Sequence, residues 1–146
     1  MAIVRQILDS KGAGAQEVHT ISPDASVFTA LMLMAEKRVG ALLAIENDRL
    51  VGVISERDYA RKVILRGKAS KETNVREIMS SKVFYVGPDH RIEECMALMT
   101  EKSIRHLPVL EDDRLIGIVS IGDIVKAVIS EQEFIIDQLE QFIMGR

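Results

Sequence analysis

Two pairs of side chains are the strongest candidates for chemistry in this chain. Ser55 and Asp58 form one Ser-x-x-Asp, and Ser120 and Asp123 form another 65 positions later. Each follows a short apolar run, Leu50-Val51-Gly52-Val53-Ile54 or Leu115-Ile116-Gly117-Ile118-Val119, so each reads as a strand ending where a helix begins. Free backbone N–H groups and the helix dipole at such a start favour an anion, and the serine adds a hydroxyl donor. The carboxylate accepts charge-assisted hydrogen bonds from hydroxyls placed beside it. The same spacing also makes a capping box, in which serine and acid satisfy the helix's own N–H groups without any ligand. The residue types alone leave both readings open.

Other chemistries find no support. The sequence has no Gly-x-x-x-x-Gly-Lys-Ser/Thr phosphate loop, no Gly-x-Gly-x-x-Gly after a strand, and no nucleophile flanked by a plausible base. Ser120, His106 and Asp123 form a Ser-His-Asp set on paper, but the serine and aspartate lie one helical turn apart on a cap. No catalytic residue is assigned, and the chain is not expected to be an enzyme. His19, His90 and His106 are scattered without metal-ligand spacing, so no metal site is expected. Cys95, the single cysteine, excludes an internal disulfide and falls on the apolar face of an expected helix, where an inert thiol is the ordinary outcome.

The elements that position the two pairs come from a repeat. Residues 18–63 align without a gap on residues 83–128, and sixteen of the forty-six pairs are identical. Residues 4–8 match residues 75–79 at an offset of 71, so the first copy carries a Gly- and Ala-rich insert, 12–17, expected to be a loop. Each copy reads as a short helical turn (4–8, 75–79), a β-like segment (18–21, 83–86), a Pro-Asp turn, and a helix. In that helix Val27, Ala30, Leu31 and Met34, or Ile92, Cys95, Met96 and Met99, recur at helical spacing. Two strands follow (42–45 with 50–54, 107–110 with 115–119), turned at Asn47-Asp48 and Asp112-Asp113, and then the helix opened by Ser-x-x-Asp. The expected organisation is a first repeat over 1–66, a linker at 67–74, a second repeat over 75–130, and a C-terminal helix over 131–146. Phe134, Ile135, Leu139, Phe142 and Ile143 lie largely on one stripe of that helix, suited either to its own domain or to a second chain.

A copy of about 60 residues is marginal alone. One copy packed on the other supplies the missing cover, and the expected fold is α/β (α+β), two β-α-β-β-α repeats related by a pseudo-two-fold with clefts where they meet. A hydrophobic content of 47% supports a packed core, and a net charge of −3 gives no general attraction to nucleic acid or anionic membrane. No window reaches the roughly 18 apolar residues of a membrane span. No signal-peptide pattern opens the sequence, so a cytoplasmic location is expected.

These residues resemble the cystathionine-β-synthase (CBS) domain, whose pattern is hydrophobic-Gly-hydrophobic-x-Ser/Thr-x-x-Asp. Leu-Val-Gly-Val-Ile-Ser-Glu-Arg-Asp and Leu-Ile-Gly-Ile-Val-Ser-Ile-Gly-Asp both follow it, and Lys102-Ser103-Ile104-Arg105-His106-Leu107-Pro108-Val109 matches the family's start of the second strand. The first copy has Leu43 where the second has Pro108. The resemblance covers nearly the whole chain and implies a stand-alone tandem pair, often a homodimer, binding adenosine-containing ligands such as AMP, ADP, ATP, NAD or S-adenosylmethionine. It also implies that each cleft takes Ser-x-x-Asp from one copy and strand residues from the other. One cleft would then combine Ser120, Gly122 and Asp123 with Val18, Thr20, Val39, Gly40 and Ala41. The other would combine Ser55, Glu56, Arg57 and Asp58 with Val83, Tyr85, Ile104, Arg105 and His106, and its cations would suit the more highly charged ligand. The aspartates would accept hydrogen bonds from the two ribose hydroxyls. The expected role is regulatory, with an assembly scaffold of vestigial clefts and a weak nucleotide hydrolase as the other readings.

Overall fold

The structure, a computed structural model, describes residues 2–11 and 18–144, so the insert 12–17 lies outside the described residues. The element order is α1 (Val4–Ser10), β1 (Thr20–Ile21), α2 (Val27–Lys37), β2 (Ala41–Glu46), β3 (Arg49–Ser55), α3 (Glu56–Tyr59) running on into a π-helical turn (Ala60–Ile64), α4 (Val75–Ile78), α5 (Ile92–Lys102), β4 (His106–Glu111), β5 (Arg114–Ser120) and α6 (Ile121–Ile143). The chain forms two compact units. One is Val18–Phe84; the other joins the N-terminal helix α1 to the chain from Tyr85 onward.

The units therefore do not coincide with the sequence repeats. In the Val18–Phe84 unit, α4 folds back onto the first copy's own sheet. The matching position in the second unit is filled by α1, from the opposite end of the chain. The same hydrogen bonds hold both. Val75 and Arg76 donate backbone N–H to the carbonyls of Ala25 and Pro23, and Val4 and Arg5 donate to those of His90 and Pro88. The Arg76 guanidinium reaches Asp24 and Glu46, and Arg5 reaches Asp89 and Glu111. Each pair is related by the offsets read from the sequence, 71 for the turn and 65 for the remainder.

Within the first unit, β2 pairs antiparallel with β3, and β1 adds in parallel, Thr20 opposite Leu43 and Ile21 opposite Ala44. Val27, Ala30 and Met34 of α2 are buried with Leu42, Ala44, Ile54, Val63, Val75 and Ile78. In the second unit β4 and β5 form the equivalent hairpin, and Ile92, Cys95 and Met99 of α5 are buried, while Met96 is partly exposed. Both hairpins turn through two residues at positive φ, Asn47-Asp48 and Asp112-Asp113, residue types that tolerate the left-handed region.

The strand expected at 83–86 is reduced to a single parallel bridge between Val86 and Val109. In the first unit Leu43 donates its N–H to the carbonyl of His19. The residue at the matching place is Pro108, which has no N–H to give, so the ladder stops one rung short.

Gly52 and Gly117 sit where the short helices dock. A Cβ on Gly52 would lie 2.5 Å from Met79 Sδ and 3.1 Å from the Ser80 carbonyl oxygen, and one on Gly117 would lie 2.7 Å from Leu8 Cδ2. Gly52→Ala should cost about 1–3 kcal/mol by overpacking. Met79→Ala in the same chain should recover part of that loss, because the pair is coupled. Urea denaturation of the four members of this cycle measures it, and additive losses would contradict the close seat.

Candidate functional site

Both Ser-x-x-Asp sequences form reciprocal capping boxes. β3 ends at Ser55 in extended conformation, and Ser55 Oγ accepts the Asp58 N–H at 3.2 Å while Asp58 Oδ2 accepts the Ser55 N–H at 2.9 Å. Asp58 Oδ2 also accepts the Ser55 hydroxyl at 3.1 Å. At the end of β5, Ser120 Oγ accepts the Asp123 N–H at 3.1 Å and Asp123 Oδ2 accepts the Ser120 N–H at 2.8 Å. The capping reading of the motif is thus realised in both copies, and each carboxylate is fixed in orientation by its own backbone.

Each carboxylate is also paired with a lysine. Lys62 Nζ lies 3.1 Å from Asp58 Oδ1, one helical turn on, and donates to the Ile78 carbonyl at 2.9 Å. Lys11 Nζ lies 2.6 Å from Asp123 Oδ2 and donates to the Ile118 carbonyl at 2.8 Å. The Asp58 and Asp123 side chains are 14% and 20% exposed, well below the other acids in the described ion pairs, so these two pairs are the ones least weakened by solvent. The sequence reading missed both lysines. Lys62 was visible as an i, i+4 partner of Asp58. Lys11 carried no signal, because it meets Asp123 only through the docking of α1 in the second unit.

The start of each second strand abuts its own copy's motif. The Glu56 N–H donates to the Gly40 carbonyl at 3.1 Å, and Ala41 pairs with Ser55. Ile121 donates to the Arg105 carbonyl at 2.8 Å, and His106 pairs with Ser120. The first unit therefore gathers Ser55, Glu56, Arg57 and Asp58 with Val39, Gly40 and Ala41, and it also contains Val18, Thr20 and Val83. The second gathers Ser120, Gly122 and Asp123 with Ile104, Arg105 and His106, and it also contains the exposed Tyr85. The expected cross-copy sets each draw on both units, and the cations Arg105 and His106 share a unit with Asp123 rather than with Asp58.

In the second unit the Lys11–Asp123 pair opens on a groove of about 800 Å³ between α1 and α6, lined also by Gln6, Ile7, Lys126 and Phe134. This volume lies within the range of small-molecule sites. Of the ligand-site residues expected from the sequence, Asp123 alone lines it, beside Phe134 and Ile135 of the C-terminal stripe. Among the described residues no cluster of His, Cys, Asp and Glu is placed to hold a metal ion. Burial pushes the Cys95 thiol up to about 11, with Glu94 and Glu93 adding to the effect, so it stays protonated and unreactive.

The CBS domain family matches residues 11–65 and 75–130, and the chain belongs to that family. It is 38% identical over 148 residues to the CBS domain-containing protein CBSX3, mitochondrial, of Arabidopsis thaliana, covering 97% of this chain and 72% of that one. A solved CBS-domain protein from Burkholderia ambifaria MC40-6 shares 50% identity at a TM-score of 0.86, covering 90% of this chain and 96% of the other. The CBS domain pair of MJ0100, solved with 5′-methylthioadenosine and S-adenosyl-L-methionine, is 22% identical with a TM-score of 0.77 over 90% of this chain and 98% of its own, and shares the fold. CBS pairs are in general regulatory, ligand-binding modules. No helix among the described residues is long and apolar enough to cross a membrane.

Burial lowers the His106 pKa from its ordinary 6.5; Asp123 opposes this, and Arg105 and Lys11 add to it. The unfolded chain therefore binds a proton at this position more readily than the fold does. Stability contributed here is intact above pH 6.5 and falls as pH drops from there toward the lowered value. Calorimetric unfolding should show the thermal midpoint declining across that window in the parent, and declining less in His106→Asn. Coincident profiles would remove His106 as the cause.

Proposed function

We propose that this chain is a non-catalytic regulatory module that binds adenosine-containing ligands, AMP, ADP, ATP or NAD, and works as a homodimer whose conformation or partner binding follows occupancy. The observation that carries the reading is the twice-built carboxylate. Asp58 and Asp123 are each held by a serine cap, shielded from solvent and balanced by a lysine. A carboxylate has about four lone-pair sites. Asp58 has committed Oδ2 to the cap and one side of Oδ1 to Lys62, which leaves acceptor capacity for a ribose hydroxyl. The neighbouring ammonium groups suit the phosphates of the same ligand. The CBS domain pair of MJ0100, which has the same fold, was solved with 5′-methylthioadenosine and S-adenosyl-L-methionine, and this supports the choice of ligand class. The remaining assigned lining is Val18, Thr20, Val39, Gly40, Ala41, Ser55, Glu56, Arg57, Val83, Tyr85, Ile104, Arg105, His106, Ser120 and Gly122.

A ligand shifts the module only through a difference in affinity between its two states. The second reading, an assembly scaffold, is favoured by the apolar surface that α6 leaves exposed, Phe142 at 82% and Ile143 at 79%. Thermal shift separates the two, since only a ligand of the folded state raises the midpoint.

Titration calorimetry with AMP, ADP, ATP and NAD tests the assignment. Asp58→Asn and Asp123→Asn each keep a carbonyl oxygen for the serine N–H. Each should weaken one binding event by at least about tenfold, as expected for loss of a charge-assisted hydrogen bond. Parent-like binding of all four compounds by both variants would sink the site.

A further inference from the structure

Residues 57–71 concentrate positive charge that the rest of the chain does not share. Arg57, Arg61, Lys62, Arg66, Lys68 and Lys71 face a single acid, Asp58, within a chain of net charge −3. The fold does not ask for these cations. At the repeat offset of 65, the positions of Arg57, Lys62, Arg66, Lys68 and Lys71 hold Gly122, Ala127, Glu131, Glu133 and Ile136, and only Arg61 meets another cation, Lys126.

The cations surround a projecting turn. The π-helical turn Ala60–Ile64 runs into Gly67, at φ 69°. There the Gly67 N–H donates to the Ile64 carbonyl at 3.1 Å and the Lys68 N–H to the Val63 carbonyl at 2.9 Å. This is a Schellman cap, which halts the helix in one geometry. An apolar residue frequently follows the glycine of such a cap, and Lys68 stands there instead. Val63 is fully buried, yet the six residues after it, 64–69, are all exposed, Ile64 at 56% and Leu65 at 77%. Two aliphatic side chains thus stand in solvent, with Arg61 before them and Arg66 and Lys68 after. Among the described residues none of these three cations enters an ion pair.

We propose that this turn docks on an anionic lipid surface, with Ile64 and Leu65 entering the headgroup layer and the flanking cations meeting the lipid phosphates. Interfacial binding grows with buried apolar area and electrostatic attraction together, and the turn offers both. The overall negative charge does not prevent this, because exposed charges beyond about 8 Å are largely screened at physiological ionic strength. Long arginine and lysine side chains keep their heads at the phosphates while their stems lie beside the apolar pair. A second copy of the same turn is a poor partner, since the cations would meet. A nucleic acid also fits less well. Its bases stack on aromatic faces, and the nearby rings are engaged, Tyr59 against the core and Phe28 under Lys71 Nζ at 4.9 Å. Ile64, Leu65, Arg66 and Lys68 lie outside the ligand reading, so the two stand or fall separately.

Co-sedimentation of the full chain with vesicles of equal parts phosphatidylglycerol and phosphatidylcholine tests the proposal. The parent should bind them, should ignore pure phosphatidylcholine, and should be released as salt is raised. Arg66→Gln combined with Lys68→Gln should weaken binding by about twenty-fivefold, about fivefold for each cation lost near the surface. Leu65→Gln should weaken it by about tenfold with every charge kept. All three side chains are exposed, so the fold should survive, and an unchanged thermal midpoint checks it. No binding by the parent, equal binding to neutral vesicles, or parent-like binding by L65Q would each overturn the proposal. So would tighter binding to a single-stranded RNA that L65Q leaves unaltered, which would make the patch a nucleic-acid site.

Discussion

A short helix seated on a glycine is the contact on which each unit depends. Leu8 occupies the space over Gly117, and Met79 occupies it over Gly52. Any side chain at those glycines competes for the same volume, and interiors packed to crystal-like density do not yield easily. The seat is reinforced from three directions: backbone N–H groups to the Pro-Asp turn, an arginine to two carboxylates, and buried Val4 and Ile7 or Val75 and Ile78. Fully burying each such aliphatic side chain is worth about 1.5–3 kcal/mol. Neither hairpin is complete without this cover, which explains why the compact units cut across the repeats. The first copy's hairpin is covered by the helix that follows it, and the second copy's by the chain's opening helix.

The same seat brings the lysines to the carboxylates, from opposite sides. In the first unit Lys62 stands on the helix with Asp58 and reaches back to the carbonyl of Ile78, the last residue of α4. In the second, Lys11 follows α1 and reaches forward to Asp123 and the β5 carbonyl of Ile118. The position equivalent to Lys62 is Ala127, so α6 cannot supply the cation itself. Two imperfect copies have arrived at one arrangement with different residues: a capped carboxylate, a lysine, and a carbonyl that holds the lysine in place.

Much of this was legible in the residues. The 65-residue offset placed both capping boxes, both hairpin turns and the buried faces of α2 and α5, because each of these is decided by local spacing. What escaped was non-local. Nothing in residues 4–8 says which sheet they will cover, since both hairpins present the same glycine. The docking of α1 on the second copy is decided only in the folded chain, and Lys11 comes with it. The missing strand at 83–86 was readable in principle. Pro108 was noted as the difference between the copies, and the consequence of its absent N–H for a parallel neighbour follows once the pairing of Leu43 with Thr20 is known.

The arrangement also constrains how a ligand at the carboxylates would act. Lys11 and Lys62 each bind two groups at once, the site aspartate and a backbone carbonyl. A diol that donates its hydroxyls to the aspartate takes up part of its acceptor capacity and weakens the first of these, while a phosphate that attracts the ammonium weakens both. The covering helix then feels the change directly, because Lys11 continues α1 and Ile78 ends α4. A ligand lacking phosphate reaches only the carboxylate and leaves the carbonyl contact standing. Adenosine compounds that differ in phosphate number would thus differ in how firmly they leave the short helices seated, and that difference is the minimum a regulatory module requires to tell one nucleotide from another.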